Sequence, residues 1–302
     1  MKKQVSTFFV LLLALAMILT GCQRQDEVPE SPEFTVAPTP TITPDPHEGQ
    51  VQVPDGAGGF KWVKDAPNLT AFPYFYDDFT VTDQTPSYTG QSLDFRLGID
   101  VSEHQQDIDW AQVAASGVEF VIIRCGYRTY ELGIVKEDAR FREYIQGALD
   151  VGLEVGVYFF SQATSIVEAA EEAVFTVNLI RDYDVTLPVF FDWEHMFDVA
   201  AARTDDVDGE TLTACCLEFA HLVSSAGYEA GMYSYLNLAY DTYDLNQLED
   251  IVLWMGDPGT RPIFYFDHDF WQYSFTGSVP GIEVDVDLDA MYIPTQTGGA
   301  VG

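Results

Sequence analysis

The residues with the clearest chemical potential are an aspartate and a glutamate on either side of a tryptophan, Asp192-Trp193-Glu194. On a β-strand, residues i and i+2 point to the same side, and their Cα atoms lie roughly 6–7 Å apart. Two carboxyl groups this close cannot both ionise freely, so one of them should keep its proton near neutral pH. Such a pair can cleave a glycosidic bond, because one group protonates the leaving oxygen while the other stabilises the positive charge at the anomeric carbon.

Other aspartates stand where acidic residues are unusual. Asp192 and Asp100 each directly follow a short apolar run, and Asp287 lies within another. Acidic residues form strands poorly, and a buried carboxylate is costly without a partner. A lone Asp-x-Glu is more often a solvated surface pair than a catalytic one. The additional aspartates on separate predicted strands favour a single acidic pocket that also contains Glu194.

Metal binding is the competing interpretation of these carboxylates, since hard cations prefer oxygen ligands. Asp285, Asp287 and Asp289 alternate along the chain, but they lack the glycine and the distal glutamate of an EF-hand. No cluster of histidine and cysteine has zinc-ligand spacing. We therefore expect no metal and no cofactor.

The elements that must position these residues alternate between strands and helices. Strands are predicted at residues 97–101, 119–124, 154–160, 187–191, 229–233, 251–255, 270–274 and 283–288. Helices are predicted at residues 109–116, 138–151, 165–181 and 211–226, the third with a capping box from Ser165 to Glu168. The pattern predicts an α/β fold, an irregular β/α barrel over residues 96–294 whose helical ring is incomplete. Active sites of such barrels lie at the carboxyl ends of the strands.

The N-terminus has the features of an export signal. Lys2 and Lys3 precede an apolar run at residues 8–19, which is short for a membrane-spanning helix. The run ends in Leu19-Thr20-Gly21-Cys22, which resembles a bacterial lipobox. We therefore predict a lipoprotein signal peptide at residues 1–21, lipidation of Cys22 and anchoring to the outer face of the bacterial cell membrane. The alternatives are an ordinary signal peptide and an anchor helix with an incidental cysteine.

Two segments separate the predicted anchor from the barrel. Residues 22–59 are rich in proline, threonine and acidic residues, which predicts a disordered linker. Residues 60–95 are too aromatic for a free linker and are predicted to form an irregular arm packed on the barrel. Residues 295–302 are predicted to be a flexible tail. Three cysteines lie within the predicted barrel; buried free thiols are expected, although a bridge from Cys125 to Cys215 or Cys216 stays open.

The composition limits the classes of partner. The chain is 47% hydrophobic and 14% aromatic, which is sufficient for a sizeable core. Its formal net charge is −34, from 48 acidic and 14 basic residues. Such a surface repels nucleic acid and anionic lipid headgroups, so we expect no nucleic-acid partner.

The ordered motifs resemble those of glycoside hydrolase family 25, the Chalaropsis-type lysozymes. The sequence GIDVSEHQ at residues 98–105, followed by Ile108-Asp109-Trp110, is similar to the opening signature of the family. Residues 188–194 are similar to its Asp-x-Glu strand, and parts of residues 271–289 are similar to its closing segment. The resemblance covers residues 97–292, the whole predicted barrel.

The resemblance implies an irregular β/α barrel and hydrolysis of the β-1,4 bond between N-acetylmuramic acid and N-acetylglucosamine in peptidoglycan. From the four carboxylates at predicted strand ends we predict retention of configuration, and we expect a monomer. The resemblance also implies that Glu194 is the general acid and that Asp100 and Asp287 complete an acidic floor. Asp192 would steer or stabilise an intermediate formed by the substrate's acetamido group or by a carboxylate, and both routes stay open. The chain has Gln106 in place of a frequent glycine and Asp289 in place of the usual asparagine; both changes are expected to affect loop shape or rim polarity.

Aromatic residues near predicted strand ends are candidates for stacking on sugar rings. Tyr158, Tyr233 and Trp254 are the substrate-binding candidates, although a purely structural role in the core is as reasonable for each. Arg124 could orient an acidic residue or form a structural ion pair. Two other functions remain open: a non-catalytic glycan-binding lipoprotein, and a glycosidase for another N-acetylated glycan.

Overall fold

The computed structural model describes residues 45–90, 92–196, 199 and 201–295. The predicted signal peptide, Cys22, the first part of the predicted linker and residues 296–302 lie outside the described residues. Within the described part of the chain, no helix combines the length and apolar character needed to cross a bilayer.

Four strands precede the barrel and form two antiparallel hairpins. Strand β1 (Gln50–Pro54) pairs with β2 (Phe60–Lys64), and β3 (Phe79–Thr82) pairs with β4 (Thr85–Tyr88). Strand β1 lies within the stretch predicted as linker, so the boundary predicted at residue 59 is corrected to a point before β1. The glycine-rich residues 56–59 suggest a linker by composition, but they form the turn of this hairpin.

The arm packs on the barrel through aromatic side chains, in the manner predicted from its composition. The Phe72 ring stacks on His268, with ring centroids 4.6 Å apart, and it also contacts Tyr292 near the end of the last strand. Phe79 is buried against Trp271. The Tyr273 hydroxyl donates to the backbone carbonyl of Gln84, which ties the second hairpin to the barrel.

Eight of the next nine strands close into a barrel. The nine strands are β5 (Leu93–Val101), β6 (Phe120–Arg128), β7 (Val135–Glu137), β8 (Glu154–Ser161), β9 (Val189–Trp193), β10 (Ala230–Tyr235), β11 (Val252–Gly256), β12 (Phe270–Gly277) and β13 (Val286–Pro294). The barrel order is β5, β6, β8, β9, β10, β11, β12, β13 and back to β5, while β7 pairs antiparallel with β6 alone. All barrel neighbours are parallel except those of β13, which is antiparallel to both β12 and β5. Strand β13 begins and ends later than the predicted residues 283–288.

The interior of the barrel is filled by large side chains that point inward from alternate strand positions. They form one buried cluster of Phe120, Ile122, Tyr158, Phe190, Tyr233, Trp254 and Phe270. Small residues opposite them provide the space. A Cβ atom on Gly98 would lie 2.2 Å from the ring of Phe120, and one on Gly231 would lie 2.4 Å from the ring of Phe190. Rings this large fit a narrow barrel only because glycine faces them.

The helices cover the barrel unevenly, which confirms the predicted incomplete ring. They are α1 (Trp110–Ala115), α2 (Phe141–Asp150), α3 (Ile166–Ile180), α4 (Gly209–Ser225) and the short, unpredicted α5 (Leu236–Asp241). Among the described residues, no α-helix lies between β11 and β13. The Ser165 hydroxyl accepts from the backbone N–H of Glu168 at the start of α3, as predicted. Helix α2 begins later than its predicted start at Asp138, whose carboxylate accepts from Arg124 through Oδ2 and from the Arg140 backbone N–H through Oδ1.

The three cysteines of the barrel domain are free and buried. No bridge therefore links Cys125 to Cys215 or Cys216. Burial raises the pKa of the Cys125 and Cys215 thiols to about 12, so both are protonated at neutral pH.

Candidate active site

A cavity of about 340 Å³ opens at the mouth of the barrel, and all four predicted acidic residues line it. Asp100 lies near the end of β5, Asp192 lies near the end of β9, and Glu194 directly follows β9. Asp287 lies at the beginning of β13, rather than at a carboxyl end as the sequence pattern suggests. Because β13 is antiparallel, its beginning meets the carboxyl ends of the other strands, and Asp287 lies directly opposite Asp100 in the β13–β5 register.

A glutamine that sequence reasoning did not include among the site residues connects two of these carboxylates. The Gln272 amide nitrogen donates to Asp100 Oδ2 at 2.7 Å and to Asp287 Oδ2 at 3.4 Å. The Tyr233 hydroxyl donates to the Gln272 carbonyl oxygen at 2.7 Å, which fixes the orientation of the amide. Gln272 lies two residues after Phe270 on the same predicted strand, so the two side chains should share a face. That spacing is the sequence signal that could have identified Gln272 as a cavity residue.

Burial controls the protonation of the Asp-x-Glu pair. Desolvation, followed by the negative charge of Asp287, raises the pKa of Glu194 to about 7. Desolvation and the charge of Glu194 also raise the pKa of Asp192 well above its usual range, while the Arg124 guanidinium partly opposes this. Glu194 remains partly accessible to solvent, whereas Asp192 is 4% exposed. The accessible carboxyl can therefore hold a proton near neutral pH and deliver it to a bound molecule.

A fifth carboxyl lies below the cavity, at the position expected to affect rim polarity. That expectation for Asp289 is wrong: its side chain is fully buried inside the barrel. Trp254 Nε1 donates to Asp289 Oδ1 at 2.8 Å, and Oδ2 has no hydrogen-bond partner among the described residues. Desolvation is the main cause that raises the pKa of Asp289 to about 8, and the charge of Asp287 adds to it. Asp289 in turn helps to raise the pKa of Asp100, after desolvation.

The second predicted departure, Gln106, does affect loop shape. Its φ is 59°, in the left-handed region where glycine is more common. It ends the short 3₁₀-helix Glu103–Gln105, which is capped by the Ser102 hydroxyl. The Tyr144 hydroxyl donates to the Gln106 carbonyl and holds this loop against α2.

Arg124 lines the cavity but pairs with residues outside the four acids. Its Nε donates to Asp138 Oδ2 at 2.7 Å, and its guanidinium also contacts Glu103 Oε1 at 3.3 Å. The structural ion pair considered for Arg124 is therefore present. The positive charge of Arg124 still acts on Asp192, where it partly opposes the rise in pKa that burial and Glu194 cause.

The three aromatic candidates form the floor of the cavity rather than an exposed platform. Tyr158, Tyr233 and Trp254 all line it, but they are 8%, 6% and 1% exposed and belong to the interior cluster. The exposed aromatic ring of the cavity is Phe275, at 46%, and Phe160 is partly exposed. Sequence analysis did not single out these two residues: Phe160 is the last residue of a predicted strand, and Phe275 directly follows another.

Two buried groups hold the segment that carries Glu194. The Gln162 amide nitrogen donates to the Glu194 backbone carbonyl at 3.0 Å, and Thr204 Oγ1 donates to the Gln162 side-chain oxygen. The Trp193 indole donates to the Ala163 carbonyl at 3.0 Å. His195 packs its ring against Trp193, and His104 lines the cavity. Among the described residues, no three His, Cys, Asp or Glu side chains are arranged to hold a metal ion.

Sequence comparison relates the chain to known enzymes. A sequence model of the family described as glycosyl hydrolases family 25 matches residues 99–282. The autolytic lysozyme of Clostridium acetobutylicum is 26% identical over 205 residues, which cover 68% of this chain and 58% of that protein. Lysozyme M1 of Streptomyces globisporus is 26% identical over 200 residues, covering 63% of this chain and 65% of that protein. The chain thus spans less than two thirds of either relative.

Structural comparison agrees with the family match. The modular autolysin LytC of Streptococcus pneumoniae, solved in complex with a synthetic peptidoglycan ligand, matches with a TM-score of 0.58 at 23% identity, covering 82% of this chain and 57% of that chain. This likeness shows a shared fold. Since the family model covers more than half of the sequence, the chain belongs to glycosyl hydrolases family 25.

Proposed function

We propose that the protein is a peptidoglycan muramidase that hydrolyses the β-1,4 bond between N-acetylmuramic acid and N-acetylglucosamine with retention of configuration. The observation that carries this proposal is the single cavity lined by Asp100, Asp192, Glu194 and Asp287 at the barrel mouth. Within it, burial raises the pKa of the partly exposed Glu194 to about 7. A neutral acid beside other carboxyls is the arrangement that glycosidic cleavage requires. Two relatives named as lysozymes support the same class.

Each carboxyl has a distinct role in this proposal. Glu194 protonates the oxygen of the leaving sugar. Asp192 Oδ1 is buried and has no hydrogen-bond partner among the described residues, so it is available to accept the N–H of the substrate's acetamido group and to orient it toward the anomeric carbon. Asp287, which Gln272 holds together with Asp100, places negative charge below the developing oxocarbenium ion, because its pKa of about 6 leaves it ionised at neutral pH. Attack by a carboxylate instead of the acetamido oxygen gives the same retained product.

Digestion of purified peptidoglycan tests the proposal. The wild-type protein should release fragments whose new reducing ends are muramic acid, identified by mass spectrometry after reduction. Glu194→Gln should lower the rate by about 10²–10⁴-fold, because it keeps the shape of the acid but removes its proton. Glu249→Gln, a change at an exposed glutamate, is the matched control and should retain the full rate. A cooperative unfolding transition and a matching circular dichroism spectrum for all three proteins establish that folding is intact.

The same assay separates the two alternatives. Glucosamine reducing ends, or cleavage of chitin-like oligomers at a comparable rate, would assign the site to another N-acetylated glycan. A non-catalytic glycan-binding protein would retain peptidoglycan in a pull-down, yet wild-type and Glu194→Gln proteins would release equally little product. That last result contradicts the muramidase proposal.

We also propose that the protein is exported and anchored to the outer face of the bacterial membrane as a monomeric lipoprotein. Lys2, Lys3, the apolar residues 8–19 and the lipobox-like sequence ending at Cys22 support this. Residues 22–44 would then link the anchor to a domain that acts on the surrounding wall. Metabolic labelling with a fatty acid should modify the wild type but not Cys22→Ser, and sedimentation should give the mass of one chain.

A further inference from the structure

A second pocket of about 500 Å³ lies beside the acidic cavity and shares its wall. His104, Arg124 and Phe160 line both spaces. The second pocket continues over Tyr127, Tyr130 and Lys136, on β6, on β7 and on the loop between them. A molecule bound at the acidic residues can therefore extend into it without leaving the barrel rim.

Strand register places these residues in one row. Lys136 lies opposite Tyr127, Tyr127 lies opposite Phe160, and Phe160 lies opposite Asp192. Residues paired across neighbouring strands point to the same face, and each step between strands is about 4.8 Å, so the backbone of Lys136 lies about 14 Å from that of Asp192. An irregularity in the β6–β8 register between Arg124 and Gly126 turns Tyr127 toward this face.

The charge of Lys136 is unusual for this protein. All other lysine and arginine side chains in the described residues form an ion pair with a carboxylate. Within the same described residues, no hydrogen bond or ion pair involves the Lys136 ammonium, although the chain carries 48 acidic residues. The cation is exposed on the pocket and available to a ligand.

The other charges of the pocket narrow the class of ligand. Glu103 forms an ion pair with Arg124, and Arg128 forms one with Glu172 at 2.6 Å. Neither of these two ion pairs leaves a charge free for a ligand. Glu131 lines the pocket and has no ion-pair partner among the described residues. Among the described residues that line it, the pocket thus presents one cation and one anion without an ion-pair partner, together with aromatic rings. This combination fits a short zwitterionic peptide better than a neutral sugar.

We infer that the second pocket binds the peptide that substitutes the lactyl group of muramic acid, with Lys136 contacting a peptide carboxylate. The inference rests on the proposed muramidase function and names the part of the substrate that the acidic cavity does not contact. An extended peptide advances about 3.4 Å per residue, so about four residues cover the 14 Å between Asp192 and Lys136. Glu131 accepts the side-chain amine of the peptide's basic residue.

Three soluble substrates with the same glycan test this inference: glycan chains with free peptide carboxylates, the same chains with carboxamides in their place, and chains stripped of peptide by an amidase. Lys136→Gln should lower kcat/KM about two- to fivefold on the first substrate only, the range of an exposed ion pair. Lys136→Glu should lower it further, and raised ionic strength should reduce both differences. Lys64→Gln, at an exposed lysine paired with Asp244 outside the pocket, should match the wild type on all three substrates.

The outcomes separate this inference from the proposed function. A wild-type protein that cleaves free-carboxylate and carboxamide chains equally well, or a Lys136→Gln protein that loses the same activity on all three substrates, overturns the peptide assignment and leaves the muramidase assignment intact. A wild-type protein that cleaves none of the three overturns both. Selective loss on the free-carboxylate chains, with peptide-free chains unaffected, supports the inference.

Discussion

Replacing the buried Asp289 with asparagine should destabilise the protein at acid pH and stabilise it at neutral pH. The carboxyl is fully buried, accepts one hydrogen bond from Trp254, and lies close enough to Asp100 and Asp287 for their charges to affect one another. The charge of Asp289 also acts on Tyr273 on β12, whose pKa it helps to raise. Burial raises the pKa of Asp289 from 3.8 to about 8. Asparagine keeps the shape and the acceptor for Trp254 but does not ionise.

The sign follows from proton binding. Between pH 3.8 and about 8, the folded protein keeps the Asp289 proton while the unfolded chain releases it, so the free energy of unfolding falls as pH rises. Each pH unit in this window costs the wild type about 1.4 kcal/mol, or roughly 4 kcal/mol between pH 4 and pH 7. The variant avoids this loss. However, the amide brings an additional buried N–H group, which costs about 1–3 kcal/mol when it lacks an acceptor.

We therefore expect Asp289→Asn to be about 2 kcal/mol less stable than the wild type at pH 4 and about 2 kcal/mol more stable at pH 7. Urea unfolding followed by tryptophan fluorescence at each pH between 4 and 8 measures both values. Asp205→Asn, at an exposed carboxyl, is the control and should differ from the wild type by a small amount at every pH. Parallel stability curves for wild type and Asp289→Asn would show that Asp289 is already ionised in the folded protein, and the reasoning would be refuted.

Four further predictions concern the acid, its support and the barrel interior. Activity on peptidoglycan should fall as pH rises through about 7, where Glu194 loses its proton; a pH–rate profile measures this. Asp287→Asn should move that fall to lower pH in the same profile, because its charge helps to raise the pKa of Glu194. Gln162→Met should lower kcat about tenfold with little change in KM, since its amide holds the Glu194 backbone. Gly98→Ala should lower the free energy of unfolding by about 1–3 kcal/mol, measured in urea, because its Cβ overlaps Phe120.

A different result would contradict each of these predictions. An activity that rises through pH 7 excludes Glu194 as the protonated acid. A profile that Asp287→Asn leaves in place shows that the charge of Asp287 does not raise the pKa of Glu194. A Gln162→Met protein with unchanged kcat shows that other contacts suffice to hold the segment. A Gly98→Ala protein with wild-type stability shows that Phe120 can move aside.

Most of the barrel could be predicted because its strands are buried. Short apolar runs, as at residues 119–124 and 187–191, mark such strands in the sequence itself. The alternation of side chains along a single strand places Asp192 and Glu194 together, since their relation is local. Features that depend on residues far apart along the chain could not be predicted from the sequence. The turn of Tyr127 toward the cleft depends on the β6–β8 register, and the hairpin that contains β1 is visible only once β2 pairs with it.

The direction of the last strand accounts for the error at Asp289. In a parallel strand of this barrel the chain runs toward the mouth, so a residue two positions after a mouth carboxyl lies outside, on the rim. In β13 the chain runs from the mouth into the barrel, so Asp289 lies one inward step, roughly 6–7 Å, below Asp287. Sequence carries no local signal for strand direction. The burial of Asp289, its contact with Trp254 and the pH-dependent cost of keeping it protonated all follow from this one reversal.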